Sequence, residues 1–138
     1  MKVLIIDDDP LVIESLAICF ELMWSEATVI SATGGEKGIE LAKTDSPDII
    51  ILDLGLPDMG GFVVLRHIRN FSDVPIVILT ALHEDTAKLK GLELGADDYI
   101  TKPFTPTDFL ARVKCVLHRC QLPEELAADE KHFVRGKV

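Results

Sequence analysis

Ile49-Ile50-Ile51-Leu52 offers no polar position in four residues. A strand with one wet face alternates polar and apolar side chains, so a run without alternation is buried on both faces. That is the situation of a strand inside a parallel sheet covered by helices, and the chain repeats it. Val3–Ile6, 27–32, 48–54 and 74–81 read as apolar strands, with a short fifth at 98–101. Between them lie stretches of helical period: 11–23 with Ile13, Leu16, Ala17 and Phe20 on one stripe, 36–43, a helix carrying Phe62, Val64, Leu65 and Ile68, then 84–94. A last helix opens at Pro106 and carries Phe109, Leu110, Val113, Val116 and Leu117. Five strands alternating with five helices predict an α/β fold.

The punctuation agrees. Asp9-Pro10 reads as a helix cap followed by proline at the first helical position. Thr33-Gly34-Gly35, Ser46-Pro47 and the turn from Leu56 to Gly61 break the chain between elements, while Gly38 weakens the second helix from within. Past Gln121 the rhythm stops. The sequence predicts one domain over 1–121 and a linker or tail over 122–138, acidic at first and too short to fold alone. A formal net charge of -9 argues against a direct grip on nucleic acid, which needs Lys and Arg at phosphates. No apolar run approaches the roughly 20 residues of a membrane span, and strand-like sequence directly after Met1 leaves no room for a signal peptide. Cys19, Cys115 and Cys120 lack metal-ligand spacing and read as reduced thiols, so a cytoplasmic location is expected.

Open α/β sheets bind ligands beyond the carboxyl ends of their strands. There the chain places Asp7-Asp8-Asp9, Asp53, Thr80 and Lys102. Each alone has an ordinary reading as a turn, a cap, a strand threonine or a solvated lysine. Three adjacent carboxylates repel one another, so either water screens them or a cation sits among them. Coincidence is what the ordinary readings leave unexplained: four strand ends carry such residues, all on one side.

Four motifs, VLIIDDD, IIILDLGLPDMGG, PIVILTA and GADDYITKPF, together resemble the receiver domain of bacterial two-component response regulators, over Met1 to about Arg119. The resemblance implies a flavodoxin-like (βα)5 three-layer sandwich with a five-stranded parallel sheet in the order 2-1-3-4-5. It implies Asp53 as phosphoacceptor and Mg²⁺ (with Mn²⁺ as a substitute) held by Asp7, Asp8, Asp53 and the backbone carbonyl of Gly55. Thr80 and Lys102 would assist at the phosphoryl group, Thr80 and Tyr99 would act as the switch, and the Lys102-Pro103 bond would be cis. Tyr99 is expected to turn inward when Thr80 is drawn toward a phosphorylated Asp53.

The charged face of the fourth helix, fifth strand and fifth helix is similar to that of the OmpR/PhoB subfamily, whose active receivers pair through it. The interface expected from this likeness comprises Lys88, Leu89, Leu92, Glu93, Asp97, Asp98, Asp108, Leu110, Arg112, Lys114 and Arg119. Across a two-fold axis Lys88 would face Asp108, Glu93 would face Lys114, and Asp98 would reach Arg112, each pair occurring twice. The resemblance further implies a sensor histidine kinase as partner, DNA contact only through a domain beyond this chain, no membrane contact, and no enzymatic turnover other than the domain's own phosphorylation and dephosphorylation. A stand-alone receiver or phosphorelay shuttle is the alternative. A haloacid dehalogenase-like phosphatase is a remoter one, since that enzyme type wants a second acid two residues after the nucleophile, where this chain has Gly55.

Overall fold

The apolar runs pair edge to edge, and the helices cover both sides. A computed structural model describes residues 1–121, so the linker expected over 122–138 lies outside the described residues. The elements are β1 (Lys2–Ile6), α1 (Pro10–Met23), β2 (Thr28–Ala32), α2 (Gly35–Thr44), β3 (Ile49–Leu52), α3 (Gly61–Arg69), β4 (Ile76–Thr80), α4 (Asp85–Glu93), β5 (Asp98–Thr101) and α5 (Pro106–Gln121). All strand pairs are parallel, in the order β2-β1-β3-β4-β5. The α/β architecture and strand order are those expected.

Strand alternation sorts the core into two layers. Val3, Ile5, Ile49, Ile51, Val77 and Leu79 pack with Leu16 and Phe20 of α1 and with Phe109, Val113 and Val116 of α5. Leu4, Ile6, Ile50, Leu52, Ile76 and Ile78 pack on the other side with Val64, Leu65 and Ile68 of α3 and with Ala42 of α2. The first layer is bound by aromatic contacts: Phe20 meets Phe109 edge-on at 5.7 Å between ring centroids, and Phe104 lies 5.4 Å from Phe109. Among the described residues Cys19, buried, and Cys115, exposed, are free thiols.

Strands come out shorter than the apolar runs. β4 begins at Ile76 rather than at 74 because Pro75 has no N–H for the ladder, although its carbonyl accepts the N–H of Ile50. Asp9 caps α1 as expected, its carboxylate accepting the N–H of Leu11 at 3.0 Å ahead of Pro10. α2 is capped differently. Gly34 at its N-cap has no side chain to offer, and Asp58 from the β3–α3 loop takes the N–H groups of Gly35 (2.8 Å) and Glu36 (3.0 Å) instead. Those two backbone donors, Glu36 first and then Gly35, hold the Asp58 carboxyl below its usual pKa.

At the opposite end of the sheet Arg69 gathers loose carbonyls. Its guanidinium donates to Gly95 (3.0 and 2.8 Å), Ser72 (3.2 Å) and Val74 (2.7 Å) and pairs with Asp97 at 3.2 Å. The α3–β4 and α4–β5 connections are thereby fastened to one residue.

Gly38 turns out to be a packing requirement. A Cβ there would stand 2.6 Å from Cδ1 of the fully buried Ile6. Helix propensity alone would make Gly38→Ala stabilising by about 1 kcal/mol. Overpacking of this kind costs about 1–3 kcal/mol, so chemical denaturation should find the variant less stable than wild type, and a more stable variant would show that α2 has room to move.

Candidate functional site

The sheet register brings the site together. Asp7 follows β1 and donates its N–H to the Ala32 carbonyl at 3.1 Å; Asp53 follows β3 and donates to the Ile6 carbonyl at 2.9 Å. The ladder thus runs one residue past the strands, and with Ile6 beside Leu52 the two aspartates emerge on adjacent strands at one level. Lys102 follows β5 and donates its N–H to the Thr80 carbonyl at 2.8 Å. The Lys102–Pro103 peptide is cis.

One ammonium joins the two buried carboxylates. Lys102 Nζ donates to Asp7 Oδ2 at 2.9 Å and to Asp53 Oδ2 at 3.3 Å. The other Asp7 oxygen accepts the N–H of Asp9 (2.9 Å), and the other Asp53 oxygen accepts the N–H of Gly55 (3.3 Å). Asp8 is exposed beside them. One oxygen from each of Asp7, Asp8 and Asp53 lies within 4.8 Å of the others.

Burial, foremost, raises the Asp7 carboxyl above its usual pKa; the Asp9 N–H and Lys102 oppose this, and the Asp53 charge adds to it. For Lys102 burial works toward the neutral amine, but the hydrogen bond it donates to Asp7 and the charges of Asp53 and Asp7 outweigh it, and its pKa is raised. The lysine therefore stays charged. Three carboxyl groups around one ammonium form a cluster of hard oxygen donors, a set that fits a divalent metal ion of the Mg²⁺ kind.

A cavity of about 400 Å³ opens over Asp53, lined also by Leu54, Gly55, Thr80, Ala81 and Leu82. Thr80 is buried, and its Oγ1 accepts the N–H of Leu82 at 3.4 Å. The Tyr99 ring is 3% exposed and already inside, its hydroxyl donating to the Leu82 carbonyl at 2.7 Å. Burial, then the charges of Glu84 and Asp53, raise the Tyr99 pKa above 10.0.

Against known proteins, residues 3–114 match the family model for the response regulator receiver domain. The chain belongs to that family. It is 42% identical to the Bacillus subtilis alkaline phosphatase synthesis transcriptional regulatory protein PhoP over 138 residues, 99% of this chain and 57% of that protein. It is 42% identical to the Escherichia coli transcriptional regulatory protein BaeR over 129 residues, 94% of this chain and 53% of that protein. The BeF3-activated receiver domain of Klebsiella pneumoniae RstA superposes with a TM-score of 0.77 at 33% identity, covering 85% of this chain and 98% of that one. The chain spans about half the length of the curated relatives it matches. Those relatives are transcriptional regulators of the OmpR/PhoB type, and the two-component response regulators are signalling proteins.

In this receiver the residues singled out from the motifs meet at one place: Asp7, Asp8 and Asp53 within reach of a shared ion, Lys102 bonded to two of them, and Gly55 and Thr80 on the wall of the Asp53 cavity. Tyr99 stands one residue removed, through Leu82. The face expected to pair is more divided. Lys88, Leu89, Leu92 and Glu93 on α4 and Asp108, Lys114 and Arg119 on α5 are exposed, with Leu110 half-buried. Arg112, however, is bonded within its own chain, to Asp98 at 3.3 Å and to Asp108 one turn back at 3.3 Å, because β5 and α5 are neighbours. The Asp97 carboxylate points to the fold, taking Arg69 and the N–H of Ile76 (2.9 Å).

Two roles escaped the sequence reading. Leu82 matters through its backbone, which bonds Thr80 on one side and Tyr99 on the other, and no side-chain pattern announces that. Asp58 ties the loop leaving Asp53 to α2; only the side-chain-free Gly34 at that cap hinted at a donated one.

A raised pKa on Asp7 means that its ionisation opposes folding: stability is lost as the pH rises from 3.8 through the raised value, and the loss persists at neutral pH. Asp7→Asn removes a titrating group while keeping an oxygen for the Asp9 N–H. In metal-free buffer at pH 7 the variant should melt about 2–5 °C above wild type, a gain that vanishes below 3.8. The extra stabilisation that added Mg²⁺ gives wild type should shrink in the variant. A variant less stable than wild type at pH 7 would contradict the assigned cost.

Proposed function

We propose that Asp53 is the phosphoacceptor of this receiver, and that its phosphorylation sets the surface formed by α4, β5 and α5. The cluster of Asp7, Asp8 and Asp53 with Lys102 bridging Asp7 and Asp53 carries the reading. An Asp53 carboxylate oxygen forms a bond to phosphorus while the bond from phosphorus to the donor (a phosphohistidine nitrogen or an acetyl oxygen) breaks, and the product is an acyl phosphate. Repulsion between carboxylate and phosphoryl oxygens is the main obstacle. Asp7, Asp8, Asp53 and the Gly55 carbonyl would hold Mg²⁺, which would supply positive charge at the phosphoryl oxygens. Lys102 serves another oxygen from the other side, and Thr80, across the same cavity, is in place to donate its hydroxyl.

A phosphoryl group claiming the Thr80 hydroxyl perturbs the Leu82 N–H bonded to it, and the carbonyl of the same residue holds Tyr99. That supports a relay biased by phosphorylation toward the inward ring. The donor is a sensor histidine kinase. An apolar groove of about 570 Å³ between Val12, Ile18 and Leu22 of α1 and Phe104 offers it a docking face beside Lys102, whose ammonium bonds Asp53. Output runs through a symmetric homodimer, with Leu89 and Leu92 as the exposed apolar contacts, and through a DNA-binding domain beyond 138 in the cytoplasm. The domain acts on its own carboxylate and on no other substrate.

Incubation with acetyl phosphate and Mg²⁺ should add the mass of one phosphoryl group, and the gain should disappear in Asp53→Ala and with chelator. Labelling that survives the substitution refutes the assignment. Beryllofluoride with Mg²⁺ should shift the protein to a dimer on gel filtration; an unchanged elution volume removes the dimer switch and leaves the stand-alone receiver.

A further inference from the structure

α4 buries the fewest residues of the five helices. Of its nine residues only Gly91 is buried, while Leu89 is 58% and Leu92 40% exposed. Its N-cap, Glu84, makes no side-chain capping bond. The other end is clamped: Gly95, at a φ of +109° that suits glycine, has its carbonyl taken by two Arg69 donors. The helix is thus fixed at one end and, apart from the half-buried Ala87, meets the core most closely at Gly91.

That point is unusually close. A Cβ at Gly91 would lie 2.8 Å from Ile78 Cδ1, 3.3 Å from Tyr99 Cδ2 and 3.5 Å from Phe62 Cε1. The first two are tighter than ordinary contact, and the third is ordinary contact. Ile78 is fully buried, Tyr99 is tethered by its hydroxyl to Leu82, and Phe62 lies under the Lys90 ammonium at 4.8 Å. Glycine is among the poorest helix formers, so propensity does not account for it here.

We propose that Gly91 is a positioning residue of the switch: its missing side chain forms the seat that lets α4 close over the inward Tyr99 ring, with the Arg69–Gly95 clamp as the pivot. The seat deepens the reading of Tyr99 as relay and rests on it. A methyl group at 91 disfavours the closed arrangement, and overpacking of that size shifts a two-state equilibrium about tenfold or more toward the open one.

Tyr99 is the only tyrosine of the chain, so 3-fluorotyrosine places one ¹⁹F probe in the ring. The measurement is the change in its chemical shift between H₂O and D₂O at neutral pH, small for a buried ring and large for a solvated one. Wild type should show the small value and Gly91→Ala more than half of the value in urea. Gly38→Ala, which meets Ile6 but lies away from Tyr99, should keep the small value. Adding Ile78→Val, which deletes the nearest clashing atom, should return Gly91→Ala part of the way. An unchanged value in Gly91→Ala, or an equal rise in Gly38→Ala, overturns the seat. Should Gly91→Ala alone fail to fold, Gly91→Ala/Ile78→Val against Ile78→Val decides by the same criterion. The probe needs no phosphoryl group, so acetyl phosphate labelling of wild type judges the phosphoacceptor reading separately. Labelling should persist in Gly91→Ala, and its loss there would place residue 91 in the site instead of the relay and overturn the proposal.

Discussion

The Lys102 ammonium between Asp7 and Asp53 is the contact on which the arrangement depends. Two unit charges about 5 Å apart at an effective dielectric near 20 repel by about 3 kcal/mol. Asp7, Asp8 and Asp53 lie within that range of one another, so the fold holds them together against their preference. What holds them is the hydrogen-bonded ladder, which continues past β1 and β3 and leaves the aspartates no freedom to separate. One lysine offsets part of the repulsion and leaves the rest available to a cation and a phosphoryl group. On the proposed reading, stability and metal binding oppose each other at Asp7, where a buried charge would be kept for the ion it binds.

The proposed relay is short. Thr80, Leu82 and Tyr99 are joined by two hydrogen bonds, both to the backbone of the middle residue. A backbone link of this kind does not depend on the Leu82 side chain and passes a shift of one end directly to the other. Its far end is an aromatic ring under α4, so in the proposed relay a small change at the threonine would act on a helix with one buried residue.

How much of this was legible in the sequence follows from what a sequence encodes. Alternation and runs report which face is buried, so the strands, the two-sided core and the aspartates at the strand ends could be read from Val3–Asp9 and Ile49–Asp53. The Asp9 cap could be read because cap and helix are adjacent in sequence. Partners across the fold could not. Asp58 caps a helix that begins 23 residues earlier, and Arg69 collects carbonyls from two loops, so neither leaves a local pattern. Gly38 and Gly91 look like helix defects until the distances to Ile6, Ile78 and Tyr99 are known. The charges of β5 and α5 suggested pairs between two copies, but Asp98 and Arg112 are close enough to meet within one.

The two helical layers are not equivalent, and the difference bears on which one can move. Under α1 and α5 lie Phe20 and Phe109, both fully buried and in edge-on contact, an interlocked packing that resists displacement because every shift opens a void. Under α4 lies a glycine. Displacing α4 exposes a tyrosine that brings its own hydroxyl for water, and it breaks one hydrogen bond, to a carbonyl that water can also serve. Motions are drawn from the parts of a structure with the fewest buried apolar contacts. A receiver in which α4 carried a large buried side chain at 91 would gain local stability only by filling the space that Tyr99 needs, so the slight burial of this helix and its proposed capacity to report on Asp53 would have the same physical origin.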